Sequence, residues 1–483
     1  MRLPTGAAIA RGALVVLPAA VFAAVVFPYV APSGDARFAL AWGDLLARGE
    51  TPDFTAPGVP VKHPLEIAIT TVLAPLGPKA ALDVYTVLSI FAFLAFLYAV
   101  FRLGRALWSP VLGLVAVALL VTRPDLILYG TNAFRDVPFA ALVLLAAALT
   151  IESTPRNWRK ALVLLAVAGL IRPEAWALSI LYAGWLELRR RRGEEGLDVT
   201  PLSLAVLALA APVLWALFDL LLTGDLLNTY RSTDPTETGE GSGGDGGGES
   251  GDFYLRTLEN GIPGLIGWPL TLLGTAAGVL ALWMRRGHAA HRKTHPADPE
   301  DPTGTVALMV AALLAFYLGL AILSLPVSPR FLLAAAAALA TLALTLLALR
   351  HLPAVAVALA VGAAAMLIAL PGDVSEISDV LTIQHDRHTR EADLADLAGQ
   401  ERVERAADAC ERLAFAASSG SFANRGRAIV APQLEVDPAT IRLRQVVAPK
   451  QGDAIFFLKG TRRVEAKQLR AIRLGRWGFV SRC

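Results

Sequence analysis

The sequence predicts a mostly α protein: a polytopic transmembrane helical bundle of about eleven spans, N-terminus in and C-terminus out, followed by a small extracytoplasmic α/β domain. Three observations predict it. Hydrophobic residues fill 55% of the 483 positions, more apolar surface than one soluble core can bury. Apolar runs recur that approach the roughly 20 residues needed to cross a hydrocarbon core of about 30 Å. From Gly372 onward the apolar runs stop and charged residues become common.

The candidate spans are Gly12–Pro32, Ala81–Phe101, Pro110–Thr122, Val137–Ile151, Ala161–Ile171, Ala175–Leu188, Leu202–Leu222, Pro269–Met284, Val306–Leu323, Phe331–Leu349 and Ala354–Leu370. Basic residues favour the cytoplasmic side of short loops. Arg2 and Arg11, Arg102 and Arg105, Arg156 to Lys160, Arg189 to Arg192, Arg285 to Lys293, and Arg350 fall on alternate connections. That alternation sets the orientation. Pro173 breaks the apolar stretch between the basic flanks Arg159-Lys160 and Arg189 to Arg192, which makes it two spans meeting at an outer turn. The first run reads as a retained anchor, because it is long and no small-residue cleavage site precedes Asp35. A net charge of +3 without one broad basic patch argues against a nucleic-acid partner.

The membrane domain is expected over residues 1–371, with a first extracytoplasmic loop at 33–80 and a glycine-rich one at 224–268. Residues 239–251 of that second loop read as a flexible tether. In the first loop Phe38, Trp42, Leu45 and Leu46 share one helical face, which predicts a helix lying along the membrane interface, with a second partly embedded helix over Pro64–Leu76. Residues 372–483 form the soluble domain, of ordinary domain size. Helical periodicity covers Glu401–Ala416, and Arg427–Ala431, Ile441–Val447, Ala454–Leu458 and Arg470–Val480 read as strands. Cys410 and Cys483 are the chain's only cysteines and fit a disulfide in an oxidising outer compartment, with two free thiols as the alternative.

This topology gathers Asp35, Asp44, Lys62, His63, Glu66, Arg123, Asp125, Arg135, Asp136, Arg172, Glu174 and Arg330 on the outer face. Charges at a bilayer rim cost free energy, so their convergence marks a site, although any single one can snorkel to water.

The outer loop, from Gly34-Asp35-Ala36-Arg37-Phe38 to His63-Pro64-Leu65, resembles the first periplasmic loop of the GT-C glycosyltransferases. Phe134-Arg135-Asp136-Val137-Pro138 at the start of a span, Arg172-Pro173-Glu174 at an outer turn and Arg330-Phe331 entering a late span extend the resemblance over most of the membrane portion. It is similar to the protein mannosyltransferase and aminoarabinose transferase branch. The resemblance implies an enzyme that moves a hexosyl or pentosyl group from a polyprenyl-phosphate carrier to an extracytoplasmic acceptor hydroxyl, inverting, in a multi-pass bacterial cell membrane. The acceptor would be a cell-envelope glycan, lipid or protein.

In that scheme Asp35 is the general base, since a sugar hydroxyl needs a carboxylate within hydrogen-bond reach to take its proton. Asp136 is a candidate second carboxylate. Negative charge building on the departing phosphate calls for cations, and Lys62, His63, Arg172 and Arg330 are the candidates, with Glu174 and Arg135 as substrate-binding residues. No cofactor is fixed by the sequence, and a divalent metal stays open but unsupported. A divalent metal finds no adjacent acid pair in the first loop, because Ala36 and Arg37 follow Asp35. A rival reading is a transporter or flippase of lipid-linked glycans, which would place ionisable groups in the middle of several spans. A non-catalytic membrane scaffold is the third.

Overall fold

The computed structural model describes residues 18–54, 59–152, 157–193, 199–232, 251–292, 302–322, 328–416, 420–444, 447, 449–458 and 471–483. The glycine-rich residues 239–250 lie outside them. A first helix α1 (Pro18–Tyr29) bends by 102° into α2 (Gly34–Ala47). Then come α3 (Pro64–Leu73), α4 (Pro78–Leu107), α5 (Pro110–Val121), α6 (Pro124–Thr131), α7 (Asp136–Ile151), α8 (Asn157–Ile171) and α9 (Glu174–Arg191). The bundle continues through α10 (Pro201–Thr223), α11 (Asn228–Ser232), α12 (Gly251–Ile266), α13 (Trp268–Arg292), α14 (Pro302–Ile322) and α15 (Leu333–Ala343), and reaches the long α16 (Pro353–Ala398).

The chain is a multi-pass membrane protein, and among the described residues five helices are long and apolar enough to cross a bilayer. The number rises to eight if each of three bent pairs counts as one span. Several runs in the expected set of about eleven, such as α5, α7 and α8, are shorter than a bilayer is thick. Most bundle helices open with proline in their first turn, which fixes the helical φ and removes a donor that would have no partner. At the centre stands α15, LAAAAALATLA, with every residue buried. Alanine there admits close neighbours: a Cβ on Gly274 of α13 would lie 2.4 Å from the Leu339 carbonyl oxygen. The α4/α5 crossing is equally tight, Gly104 against Gly113, as small residues permit in membrane packing.

The bundle has two chemically distinct ends. Helix α7 starts at Asp136, and beyond its last turn Glu152 pairs with Arg102 at one partner oxygen and with Arg105 at 3.2 Å. The basic clusters thus lie a helix length, about 24 Å, from the acidic starts of the helices.

Helix α16 does not stop at residue 371. It passes through Pro371 and Gly372 and ends at Ala398, so the membrane and soluble domains share one continuous helix. The C-terminal part adds α17 (Glu401–Asp408), β1 (Arg412–Ala416), α18 (Gly420–Val430), β2 (Arg442–Arg444), β3 (Asp453–Leu458), β4 (Ile472–Leu474) and β5 (Trp477–Arg482), expected to form an outer domain. Its sheet runs β2-β1-β3-β5-β4, parallel at β2-β1-β3 and antiparallel at β3-β5-β4. Two local expectations differ. The helical periodicity of Glu401–Ala416 breaks at Cys410, where the chain enters β1, and Arg427–Ala431 is the end of a helix instead of a strand. In both cases burial decides: Phe415 and Val430 pack with Leu394 and Leu397 of α16 in one core. Cys410 and Cys483 form a disulfide, with Cα atoms 5.2 Å apart.

The apolar face of α2 also finds protein and not lipid. Phe38, Trp42 and Leu45 are buried with Phe54, Ile67 and Ala428, which wedges α2 between α3 and α18 of the outer domain.

Candidate active site

Four helices aim their N-termini at one place, and each carries a carboxylate in its first turn: Asp35 on α2, Glu66 on α3, Asp136 on α7 and Glu174 on α9. The free N–H groups and the macrodipole at a helix start favour negative charge. Ser33 caps α2 by accepting from the Ala36 N–H at 3.3 Å, which orients its first turn. Ala133, held at a φ of 53°, turns the chain between α6 and α7 so that Arg135 and Asp136 follow in sequence into the cluster.

Three guanidinium groups tie the four acids together. Arg135 donates to Asp35 at 2.5 Å and to Glu66 at 3.1 Å, and Glu66 also accepts from the Tyr85 hydroxyl at 2.7 Å. Arg172 bonds Asp136 on one side and Glu174 on the other, stacked over Phe331 at 3.7 Å. Arg330 spans the two halves, 3.5 Å from Asp35 and 3.5 Å from Asp136, with its guanidinium 4.5 Å from the centre of the Phe134 ring.

Exposure separates the roles. The side chains of Asp35 and Arg330 are 29% and 25% exposed, whereas those of Asp136 and Arg172 are 2% and 8%. Asp35 and Arg330 therefore form the mouth of the cluster, and Asp136, Arg172 and Glu174 form its floor.

Two of the expected cations are engaged by neighbours in the fold. Lys62 is buried at 3.2 Å from Asp219, beside Asn228, with its ammonium 5.4 Å from the Phe54 ring centre. Burial lowers its pKa against the pull of Asp219, and the ion pair occupies its charge. His63 holds the Ile171 carbonyl through Nδ1 at 2.6 Å, which requires the proton on that nitrogen. Burial, then the nearby Arg135 and Arg172 charges, push its pKa well below the ordinary value, so the ring is neutral and offers Nε2 as an acceptor. A neutral ring cannot offset phosphate charge. Glu66, Tyr85 and Asp219 complete the arrangement without having been assigned a role from sequence. The available signal was a polar group inside an otherwise apolar run, as at Asp219 and Tyr85. Among the described residues no group of three His, Cys, Asp or Glu converges in a way that could hold a metal.

No protein-family model matches the chain, and no curated protein matches its sequence. Solved structures do. ArnT from Cupriavidus metallidurans bound to undecaprenyl phosphate superposes with a TM-score of 0.54 at 12% identity, covering 98% of this chain and 98% of that one. The same enzyme in the apo state gives 0.52 at 13% identity, again over 98% of both chains. This chain has a GT-C fold. The likeness extends through the outer domain as well as the bundle.

Proposed function

We propose that the protein is a membrane glycosyltransferase that moves a sugar from a polyprenyl-phosphate carrier to an acceptor hydroxyl at the extracytoplasmic face. The carrying observation is the pair at the mouth of the cluster: one reachable carboxylate, Asp35, and one reachable guanidinium, Arg330, in contact with each other. The carrier chemistry follows from a protein of this fold that binds undecaprenyl phosphate. The basic groups at the opposite end of the bundle support the outer location.

The acceptor oxygen attacks the anomeric carbon as its proton passes to Asp35. The bond to the carrier phosphate breaks, and the electron pair leaves with the phosphate. Attack opposite to the leaving group inverts the sugar carbon. Arg330 is the cation for the leaving phosphate, able to bind it through two parallel N–H groups. In the resting site Asp35 is held by Arg135 and Arg330 together, so a proton acceptor is freed only as one of them lets go. A donor phosphate that draws Arg330 away does that, which couples donor binding to activation of the base. Asp136 accepts from Arg172 through one oxygen and faces Arg330 across 3.5 Å with the other, which has no hydrogen-bond partner, and its burial makes it a positioning residue.

The transporter reading predicts ionisable groups through the middle of several spans, whereas the acids of the cluster sit at helix starts and Asp219, near the end of α10, is paired with Lys62. The test is purified protein in lipid nanodiscs, given a panel of polyprenyl-phosphate sugars and an envelope-glycan extract. Release of carrier phosphate with transfer of sugar is expected, falling by about 10² to 10⁴-fold in Asp35→Asn. Turnover that survives this substitution removes Asp35 as the base, and an absence of release with every donor removes the transferase.

A further inference from the structure

A cavity of about 550 Å³ lies on the other side of α2, where the membrane and outer domains meet, within the roughly 300 to 1,000 Å³ of ligand pockets. Its walls come from α2, the start of α4, the outer part of α16 and the end of α18. Residues 35 and 37 are about 200° apart around a helix, so α2 presents Asp35 to the charged cluster and Arg37 to this cavity.

The lining has the mixed character that a sugar chain requires. Arg37 is 8% exposed and donates to Glu391 at 2.7 Å, yet its Nε has no partner. Lys79, Asp83 and Asp396 line the space with no ion pair among the described residues. His388 donates from Nδ1 to the Val30 carbonyl at 2.7 Å, which leaves Nε2 as an acceptor. Phe27 and Leu82 supply apolar wall. Hydroxyl groups both donate and accept, so they can satisfy unpaired carboxylates, an ammonium and a ring nitrogen at once. An anionic headgroup would instead meet two cations, Arg37 and Lys79, against four carboxylates, Asp44, Asp83, Glu391 and Asp396.

We infer that this cavity binds a segment of a neutral glycan, as an exosite that holds an extended acceptor while its reacting end reaches around α2 to Asp35. The acceptor role rests on the transferase reading; the binding itself does not. One helix separates the two places, about 10 to 12 Å.

The probes are four linear tetrasaccharides, built from glucose, mannose, galactose and arabinose, with glycerol phosphate as the anionic control. Each is titrated into the full chain in nanodiscs and read by saturation-transfer NMR and calorimetry. At least one tetrasaccharide is expected to bind at millimolar strength or tighter. Ala392→Trp, which adds bulk on the exposed cavity wall of α16, should weaken it at least tenfold, and the paired change Asp83→Ala and Asp396→Ala should do the same without adding bulk. Failure of all four sugars, binding unchanged in both variants, or glycerol phosphate binding in their place overturns the inference. Glycan binding without carrier release would leave the cavity's assignment standing and remove the transferase; carrier release without glycan binding would do the reverse.

Discussion

At the scale of single residues the site is a lattice of shared charges, and what each side chain does depends on how much of its bonding capacity is already taken. Arg172 is spent on Asp136 and Glu174 inside the protein. Arg172→Leu would leave Glu174 without its counter-charge and Asp136 with only the 3.5 Å contact to Arg330, and the expected loss is about 3 to 5 kcal/mol, read as a lowered unfolding midpoint. Arg330 is the reachable partner, so Arg330→Ala should leave folding nearly intact and cut transfer by about 10² to 10³-fold. Lys62 gives the sharpest contrast with its reading as a phosphate ligand. Lys62→Met should cost about 3 to 5 kcal/mol by leaving Asp219 without its counter-charge, and adding Asp219→Leu should recover most of it with turnover retained. If the double variant were stable but inactive, Lys62 would be a phosphate ligand after all. Asp35, Asp136, Arg172 and Arg330 were legible in the sequence because each flanks an apolar run on the same side. The states of Lys62 and His63 were not, because they are set by Asp219 and the Ile171 carbonyl, distant in sequence and close only in the folded bundle.

At the scale of elements, close approach of backbones decides where helices can sit. A Cβ at Gly43 of α2 would lie 2.5 Å from the Thr70 carbonyl carbon of α3, a contact only backbone movement can relieve. Gly43→Ala should therefore cost about 1 to 3 kcal/mol and disturb transfer by shifting the helix that carries Asp35; an unchanged unfolding midpoint would contradict this packing. In the outer sheet, burial raises the proton affinity of Asp453, but hydrogen bonds from Arg444, Arg412 and the Lys450 N–H outweigh it and hold the carboxyl well below the usual carboxylate range. A carboxyl depressed in the folded state adds stability above its unfolded value of about 4, and that stability is lost as pH falls through the folded value. Denaturation followed from pH 6 downward should show this acid-sensitive component, and Asp453→Asn should abolish it. The bundle helices were readable from length and apolar content, and three strands from alternation. The segments at residues 410–416 and 427–430 were not, because both a helix and a strand can bury that pattern and the choice is made by the α16 side chains against which they pack.

At the scale of the molecule, the disulfide and the shared helix hold the outer domain together and in place. Cys410 and Cys483 lie 73 residues apart, and a loop of that size implies about 4 kcal/mol of stabilisation by the chain-entropy argument. Cys410→Ser with Cys483→Ser should lower the unfolding midpoint of the outer domain; an unaltered midpoint under reducing and oxidising conditions would sink that account. The change from apolar helices to a small C-terminal sheet was visible from composition, but the joint was not, since Pro371-Gly372 reads as a break and is carried through within α16. Proline there is tolerated where the freed carbonyl finds other partners. Because one uninterrupted rod of 46 residues runs from the bilayer to Glu391 and on to the sheet, angular position is counted in residues. A single amino acid inserted between 372 and 384 would swing everything beyond it through about 100° and raise it about 1.5 Å, turning Glu391 off Arg37 while leaving every side chain of both domains unaltered. Insertion length along this stretch thus works as a dial on domain alignment, with the original bearing nearly restored after seven added residues, two full turns.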